Sequence, residues 1–302
     1  MEDNYIEILK QDYFELDKPV PYKNFFLYPV KVKDYYTFYK GIDSLTLEKN
    51  KDPNGIMQSH LGYLFSKMEQ EPDKHYDVRF GFIAELCLGI KNGIFCNKCG
   101  EEMPTEEIVK KLNIFSEVKN KKAWEKLYSE EIQYCKKCKN LRRDIIAYGK
   151  DENNQPRISI KGEIITKEDF DKIRRIICYQ NLPNFDDSYI DPELEEELKE
   201  KHRLQNGNVA SPDLETQMCC IVAGSAYKFE ELKEMTLRKF VLLLQKIDSK
   251  LHYQIYKTNE NSGAVTFKGG LDHWIYPKKR TKFDDLLLLD NLTQKLDPIS
   301  KK

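Results

Sequence analysis

Cys96-Asn97-Lys98-Cys99-Gly100 and Cys135-Lys136-Lys137-Cys138 are two C-x-x-C pairs, separated by the 35 residues 100–134. A two-residue gap lets both thiolates of one tight turn reach a single ion, and two such turns complete a tetrahedral four-sulfur shell. The spacing therefore predicts that Cys96, Cys99, Cys135 and Cys138 hold a structural Zn2+ in a small knuckle or ribbon. Three other readings of the same pairs are reduced buried cysteines, a redox pair and an iron–sulfur site. The redox reading calls for one pair beside a βαβ unit, which the sequence does not suggest. Cys87, Cys178, Cys219 and Cys220 lie in apolar helical contexts, where packing is the expected role of a free cysteine.

The long segment between the pairs has to fold back on itself, and helical patterns at Thr105–Leu112 and Lys122–Ser129 allow it. Downstream, Asp144-Ile-Ile-Ala-Tyr-Gly149, a polar stretch and Arg157–Ile165 predict a hairpin. Thr166 is expected to cap a helix that carries Phe170, Ile173, Ile176 and Ile177 on one face. The charged stretch from Asn184 to Asn208 predicts a solvated helix at its core, Glu193–Lys201, that Asn206-Gly-Asn208 ends, and the carboxylates of Asp191–Glu200 read as a solvated face. Ser211-Pro212-Asp213 is a helix start with Ser at the cap.

Met235–Thr258 is the strongest helix in the chain. Thr236 caps it, and Leu237, Phe240, Val241, Leu244, Ile247, Leu251 and Ile255 trace one apolar stripe. A glycine-containing loop after it presents Phe267, Trp274 and Tyr276, and Asp290–Lys302 is a polar tail.

Upstream of the cysteines, helices are expected from Asp34 to Asn50, with Asp34 at the cap, from Ile56 to Met68 and from Asp77 to Ile90. A turn is expected at Lys51–Gly55. Pro19, Pro21 and Pro29, and the alternation of Val30 and Val32 with lysines, predict an extended arm or edge strand over residues 1–33. The fold class is thus α+β, mainly α-helical, with a zinc-knuckle insertion. Three regions follow: 1–90, an extended arm plus helices; 91–150, the zinc-binding insertion; and 151–302, mainly helical.

Composition limits the function classes. Net charge is −1, from 49 Lys and Arg against 50 Asp and Glu, so the global surplus of positive charge that favours phosphate binding is missing. Lys98, Lys136, Lys137, Lys139, Arg142 and Arg143 flank the knuckles, with Tyr134 and Trp124 as stacking candidates, but such lysines also offset thiolate charge. Nucleic acid is therefore the less favoured partner. No apolar window reaches the ~20 residues of a membrane span, and the N-terminal residues do not read as a secretory leader. A cytoplasmic protein with no membrane partner is expected.

None of His60, His75, His202, His252 and His273 pairs with another at metal-binding spacing. No phosphate loop, dinucleotide fingerprint or nucleophile elbow occurs. Catalysis is not expected, and no residue is assigned a catalytic role.

Three stretches bear on a family. They are Pro21-Tyr-Lys-Asn-Phe-Phe-Leu-Tyr-Pro-Val-Lys-Val-Lys-Asp-Tyr-Tyr36, Gly162-Glu-Ile-Ile-Thr-Lys-Glu-Asp-Phe-Asp-Lys-Ile-Arg174, and the segment from Tyr227 through Lys233-Glu-Met-Thr-Leu-Arg-Lys-Phe240 and Leu251-His-Tyr-Gln-Ile-Tyr-Lys257 to His273-Trp274. Together they resemble tail-module proteins of tailed phages and prophages of Gram-positive bacteria. The third is similar to tail assembly chaperones. The resemblance covers about half of the chain and carries no residue-level role, and the cysteine pairs depart from it. It implies a non-catalytic protein that keeps a helical client, such as a tape-measure protein, soluble in the host cytoplasm, or one associated with the virion. The alternatives are a zinc-dependent nucleic-acid-binding protein and a structural virion or baseplate component. An apolar groove lined by Phe240, Leu244, Ile247, Leu251 and Tyr256 would receive the client.

Overall fold

The computed structural model describes residues 2–118, 120–189, 191–206, 212–263 and 273–275. Among them the chain is mainly helical, with three small antiparallel sheets, and it divides into two units. The first holds residues up to Val30 and Asp34–Cys178; the second holds Lys31–Lys33 and the chain from Tyr179 onward.

In the first unit, α1 (Glu2–Leu9) runs into a π-type turn at Lys10–Phe14 that buries Phe14. The predicted extended arm is thus helical in its first half. Its prolines all lie at or beyond Pro19 and place no restriction on residues 2–14. The extended part is a short hairpin of β1 (Val20–Tyr22) and β2 (Phe25–Leu27). The alternating Val30 and Val32 form no strand, and both are buried.

Next come α2 (Tyr35–Ile42), the short α3 (Pro53–Ile56), α4 (His60–Gln70) and α5 (Tyr76–Leu88). Asp34 stands at the cap position of α2 without a side-chain cap bond. Ser59 caps α4, its Oγ accepting from the Gly62 N–H at 3.0 Å. The turn expected at Lys51–Gly55 is instead a 3-10 turn at Lys49–Lys51 followed by α3, started by Asp52 at the cap and Pro53 behind it.

Two three-stranded sheets follow. The first has the order β4-β3-β5, from β3 (Gly93–Cys96), β4 (Glu102–Pro104) and β5 (Arg142–Asp144). Between β4 and β5 lie α6 (Thr105–Phe115) and α7 (Lys121–Tyr128), then a π-type turn at Ser129–Gln133. The second sheet has the order β6-β7-β8, from β6 (Ile146–Lys150), β7 (Pro156–Ile160) and β8 (Glu163–Ile165). Helix α8 (Lys167–Asn181) closes the unit through Cys178. Thr166 and Asp169 cap it reciprocally: the Asp169 N–H donates to Thr166 Oγ1 and the Thr166 N–H to Asp169 Oδ2, both at 3.2 Å.

The core of this unit is aromatic and isoleucine-rich. Phe80 of α5 lies 5.8 Å from the Phe170 ring and 6.4 Å from that of Tyr148, while Ile158, Ile160, Ile165, Ile173, Ile176 and Ile177 are buried. Burial of such side chains contributes roughly 1.5–3 kcal/mol each before entropy is counted.

Asp169 also fastens the β1–β2 hairpin. Its carboxylate accepts from Lys23 Nζ at 2.6 Å and from the Tyr22 hydroxyl at 2.8 Å. Burial acts to raise its pKa, but these bonds and Thr166 outweigh it and hold the carboxyl at about 2. Because the folded pKa lies below the ordinary value, the stabilisation is complete above about pH 4 and is lost as pH falls through about 2. Asp169→Asn is expected to cost about 1–2 kcal/mol in urea unfolding at pH 7, the low side of the range for charged hydrogen bonds because Lys23 is exposed. The difference from wild type should shrink at pH 2.5.

In the second unit, α9 (Pro192–Asn206), α10 (Leu214–Gly224), α11 (Phe229–Glu234) and α12 (Leu237–Asn261) follow. The cap of α10 is Asp213, whose carboxylate accepts from the Thr216 N–H at 2.8 Å. The expected cap, Ser211, is outside the described residues, as are Phe267, Tyr276 and Asp290–Lys302. Thr236 does cap α12. Lys31 and Lys33 reach Glu234 at 2.6 and 2.9 Å and hold its carboxyl at about 2. Phe240 and Leu237 are buried, and Ile247 packs where Gly224 leaves room. Beyond Ile247 the stripe emerges: Leu251 and Ile255 are 52 and 55 % exposed. Among the described residues, no helix is long and apolar enough to cross a membrane.

Candidate metal centre

The four predicted ligands converge. One Sγ from each of Cys96, Cys99, Cys135 and Cys138 lies within 4.8 Å of the others, and this is the one such cluster of potential ligands among the described residues. The approaches across the two pairs are Cys96–Cys138 at 3.2 Å, Cys99–Cys135 at 3.4 Å and Cys99–Cys138 at 3.8 Å. A tetrahedral ion with metal–sulfur bonds of ~2.3 Å spaces its sulfurs about 3.8 Å apart, so the donor set fits a metal held by four cysteines.

Each pair sits on the same backbone turn. In the first, the Cys96 N–H donates to the Glu101 carbonyl at 2.9 Å and the Gly100 N–H to the Cys96 carbonyl at 2.8 Å. In the second, the Cys135 N–H donates to the Asn140 carbonyl at 2.8 Å and the Lys139 N–H to the Cys135 carbonyl at 2.9 Å. The residue after each second cysteine takes a left-handed conformation, Gly100 at φ 73° and Lys139 at φ 59°. Glycine does this freely, whereas lysine is strained there.

The turns are delivered by the sheet. β3 ends on Cys96 and returns as β4, and β5 leaves the second turn with Arg142 opposite Cys96 in register. Gly93 begins β3 against Pro104, so closely that a Cβ would lie 2.2 Å from the Met103 carbonyl oxygen.

Amide hydrogens point at the sulfurs. The Cys99 N–H is the largest influence on the Cys96 thiol and brings it down to about 6. The Cys138 N–H acts in the same sense on Cys135, but burial and the bonds this thiol makes to Glu101 and Cys99 prevail and carry it up to about 12. The two thiols are thus moved in opposite directions, one by amide hydrogens and the other by burial and its bonds to Glu101 and Cys99. A divalent cation held by the four sulfurs would take them as thiolates.

Two residues around the cluster were not singled out by spacing. Glu101 accepts from Cys135 Sγ at 3.1 Å, which with the basic groups nearby lowers its pKa. Arg142, one of the basic residues flanking the knuckles, is buried: its Nη1 donates to the carbonyls of Glu131 and Ile132 at 3.0 and 3.1 Å, and Nη2 lies 3.5 Å from Glu101. Lys136 is held by Glu131 at 2.7 Å. Lys98, Lys137, Lys139 and Arg143 are exposed. Trp124 is stacked on Tyr128, with centroids 5.3 Å apart.

Set beside known proteins, the chain stands apart: no family model, curated protein or solved structure matches it.

The other cysteines divide two and two. Cys87 and Cys178 are buried, and burial pushes the Cys87 thiol well up. Cys219 and Cys220, expected in a core, are exposed on α10, whose inner face is Met218 and Ile221. Of the histidines, His60 Nδ1 meets Asp171 at 2.9 Å, where the carboxyl is held at about 2 although burial opposes it. His252 is exposed on α12, 6.0 Å from the Tyr256 ring.

Proposed function

We propose that Cys96, Cys99, Cys135 and Cys138 hold one structural Zn2+ ion in a non-catalytic protein-binding chain. In this reading the chain is a tail assembly chaperone or tail-associated protein whose partner presents an apolar helix, as a tape-measure protein does. Two features support it. A four-thiolate shell has no open position for a substrate or an activated water, so the metal supplies folding energy and no reaction.

The observation that carries the partner is the outer half of α12. Leu244, Ile247, Leu251 and Ile255 follow at spacings of three and four, and the last two are more than half exposed. A straight stripe of that kind fits another helix laid along it. Phe240, buried in the second unit's own core, is removed from the client-facing set; Leu251 and Tyr256 remain, joined by Ile255. Covering them would gain roughly 25 cal/mol per Å2 of apolar surface.

The test is co-expression with a tape-measure-like helical client in the cytoplasm. The client should stay soluble with wild type and precipitate with Leu251→Asp, a position exposed enough to accept a charge without unfolding the chain. The exposed Lys98, Lys137, Lys139 and Arg143 favour the alternative of nucleic-acid binding. Tight, salt-sensitive binding to RNA or DNA with no rescue of the client would replace the present reading with that one.

A further inference from the structure

The outer half of α12 has a piece of its own chain seated beside its exposed stripe. Lys246 Nζ donates to the carbonyls of Trp274 and Ile275 at 3.3 and 3.1 Å, and the His273 ring lies 5.0 Å from that of Tyr253. Residues 273–275 therefore run back along about two turns of α12. Tyr256, three residues on from Tyr253, stands between this seat and the stripe of Leu251 and Ile255.

The sequence after Ile275 suits that stripe. Residues 276–302 lie outside the described ones, and they include Phe283-Asp-Asp-Leu-Leu-Leu-Leu-Asp-Asn-Leu292. Leu286, Leu289, Leu292 and Leu296 recur at intervals of three and four, the spacing of one helix face. Leucines at that density favour burial against another apolar surface. Charge agrees with the pairing. Phe283–Leu292 carries three aspartates and no basic residue, whereas Lys246–Lys257 carries three lysines against one aspartate. Lys250, next to Leu251, is exposed. A second copy of α12 would bring two faces of like sign together, and the aspartate-bearing segment brings opposite ones. Reach is sufficient as well. The ten residues between Ile275 and Leu286 span up to about 33 Å, and Leu251 and Ile255 lie only about 8–14 Å along the helix from Lys246.

We infer that the occupant of the outer α12 stripe is the chain's own segment Leu286–Leu296, with its leucines on Leu251 and Ile255 and the aspartates beside them toward Lys250 and Lys257. The stripe is then a guarded surface. A helical partner has to displace this segment before it binds, a consequence that rests on the client reading above.

The experiment uses the full chain without any client, as an equal mixture of isotope-labelled and unlabelled protein. A carbodiimide joins lysines to carboxylates in direct contact, mass spectrometry reads the links, and hydrogen exchange follows residues 248–261. Wild type should give links from Lys250 or Lys257 to Asp284, Asp285 or Asp290 within single chains. The double variant Leu286→Ser/Leu289→Ser should lose these links and exchange roughly tenfold faster over 248–261. Leu251→Asp, changed from the helix side, should lose the same links. Absence of the links in wild type, or exchange in the double variant within about twofold of wild type, overturns the inference. Links that join labelled to unlabelled chains overturn it in favour of a second copy. The double variant should also hold a tape-measure-like client more tightly than wild type does. A client that neither form holds removes the client reading, while the links and the exchange still decide what covers α12.

Discussion

Cys135→Ser is expected to reduce zinc from about one ion per chain to below roughly 0.2, because a tetrahedral thiolate site that loses one of its four donors loses its closed shell. Cys135 is the appropriate position to change. It is buried, it opens the second turn, and its backbone holds that turn through Asn140 and Lys139. Serine keeps the backbone bonds and removes only the sulfur, so the loss can be assigned to ligation. Metal analysis of protein purified without chelator measures it directly. Limited proteolysis should then cut within residues 97–141, while α4, α5 and α8, with a core of their own, stay protected. Full zinc content in the variant would remove Cys135 from the ligand set.

The second large effect is expected from Gly93→Ala. A methyl group there would meet the Met103 carbonyl oxygen at 2.2 Å and the Pro104 Cα at 2.9 Å, both backbone atoms of the paired strand, which cannot step aside as a side chain can. The strand pair must open, and with it the turn that carries Cys96 and Cys99. A loss of at least about 3 kcal/mol in denaturant unfolding is expected, together with weaker zinc retention. Gly149→Ala serves as the control. A Cβ at Gly149 meets nothing, so this change on β6 should stay within about 0.5 kcal/mol of wild type.

The cysteine cluster was legible in the sequence because its information is local. Two residues between cysteines fix the turn, and four sulfurs fix the shell. Capped amphipathic helices were legible for the same reason: Thr166 and Thr236 stand where the helical periodicity begins. What the sequence concealed depends on partners far along the chain. Val30 and Val32 alternate with lysines as a strand would, yet Lys31 and Lys33 share Glu234, some two hundred residues away. The prolines at 19–29 restrict only the residues around them, and residues 2–14 before them are helical. Arg142 looks like its neighbour Arg143 in a basic run; only the fold separates the buried clamp from the exposed side chain. Glu101 follows Cys99 by two residues, but its contacts with Cys135 and Arg142 depend on residues more than thirty positions along the chain. The apolar stripe of α12 was correct as a pattern, while its division into a buried and an exposed half follows from where α10 ends against it.

The likeness of the two turns has a consequence for how the site is assembled in time. During synthesis every residue of the first turn, Cys96 to Glu101, is made before the second turn begins. Cys135 follows 36 residues behind Cys99, an interval of roughly 2–7 s at ribosomal speeds of about 5–20 residues per second. For those seconds the nascent chain carries Cys96 and Cys99 without Cys135 and Cys138. Soft ions such as Cu(I) compete best at such an incomplete set of thiolates. For a chain that loads a metal at this cluster, fidelity of metal choice would then depend on how fast the α6–α7 segment brings the second turn home.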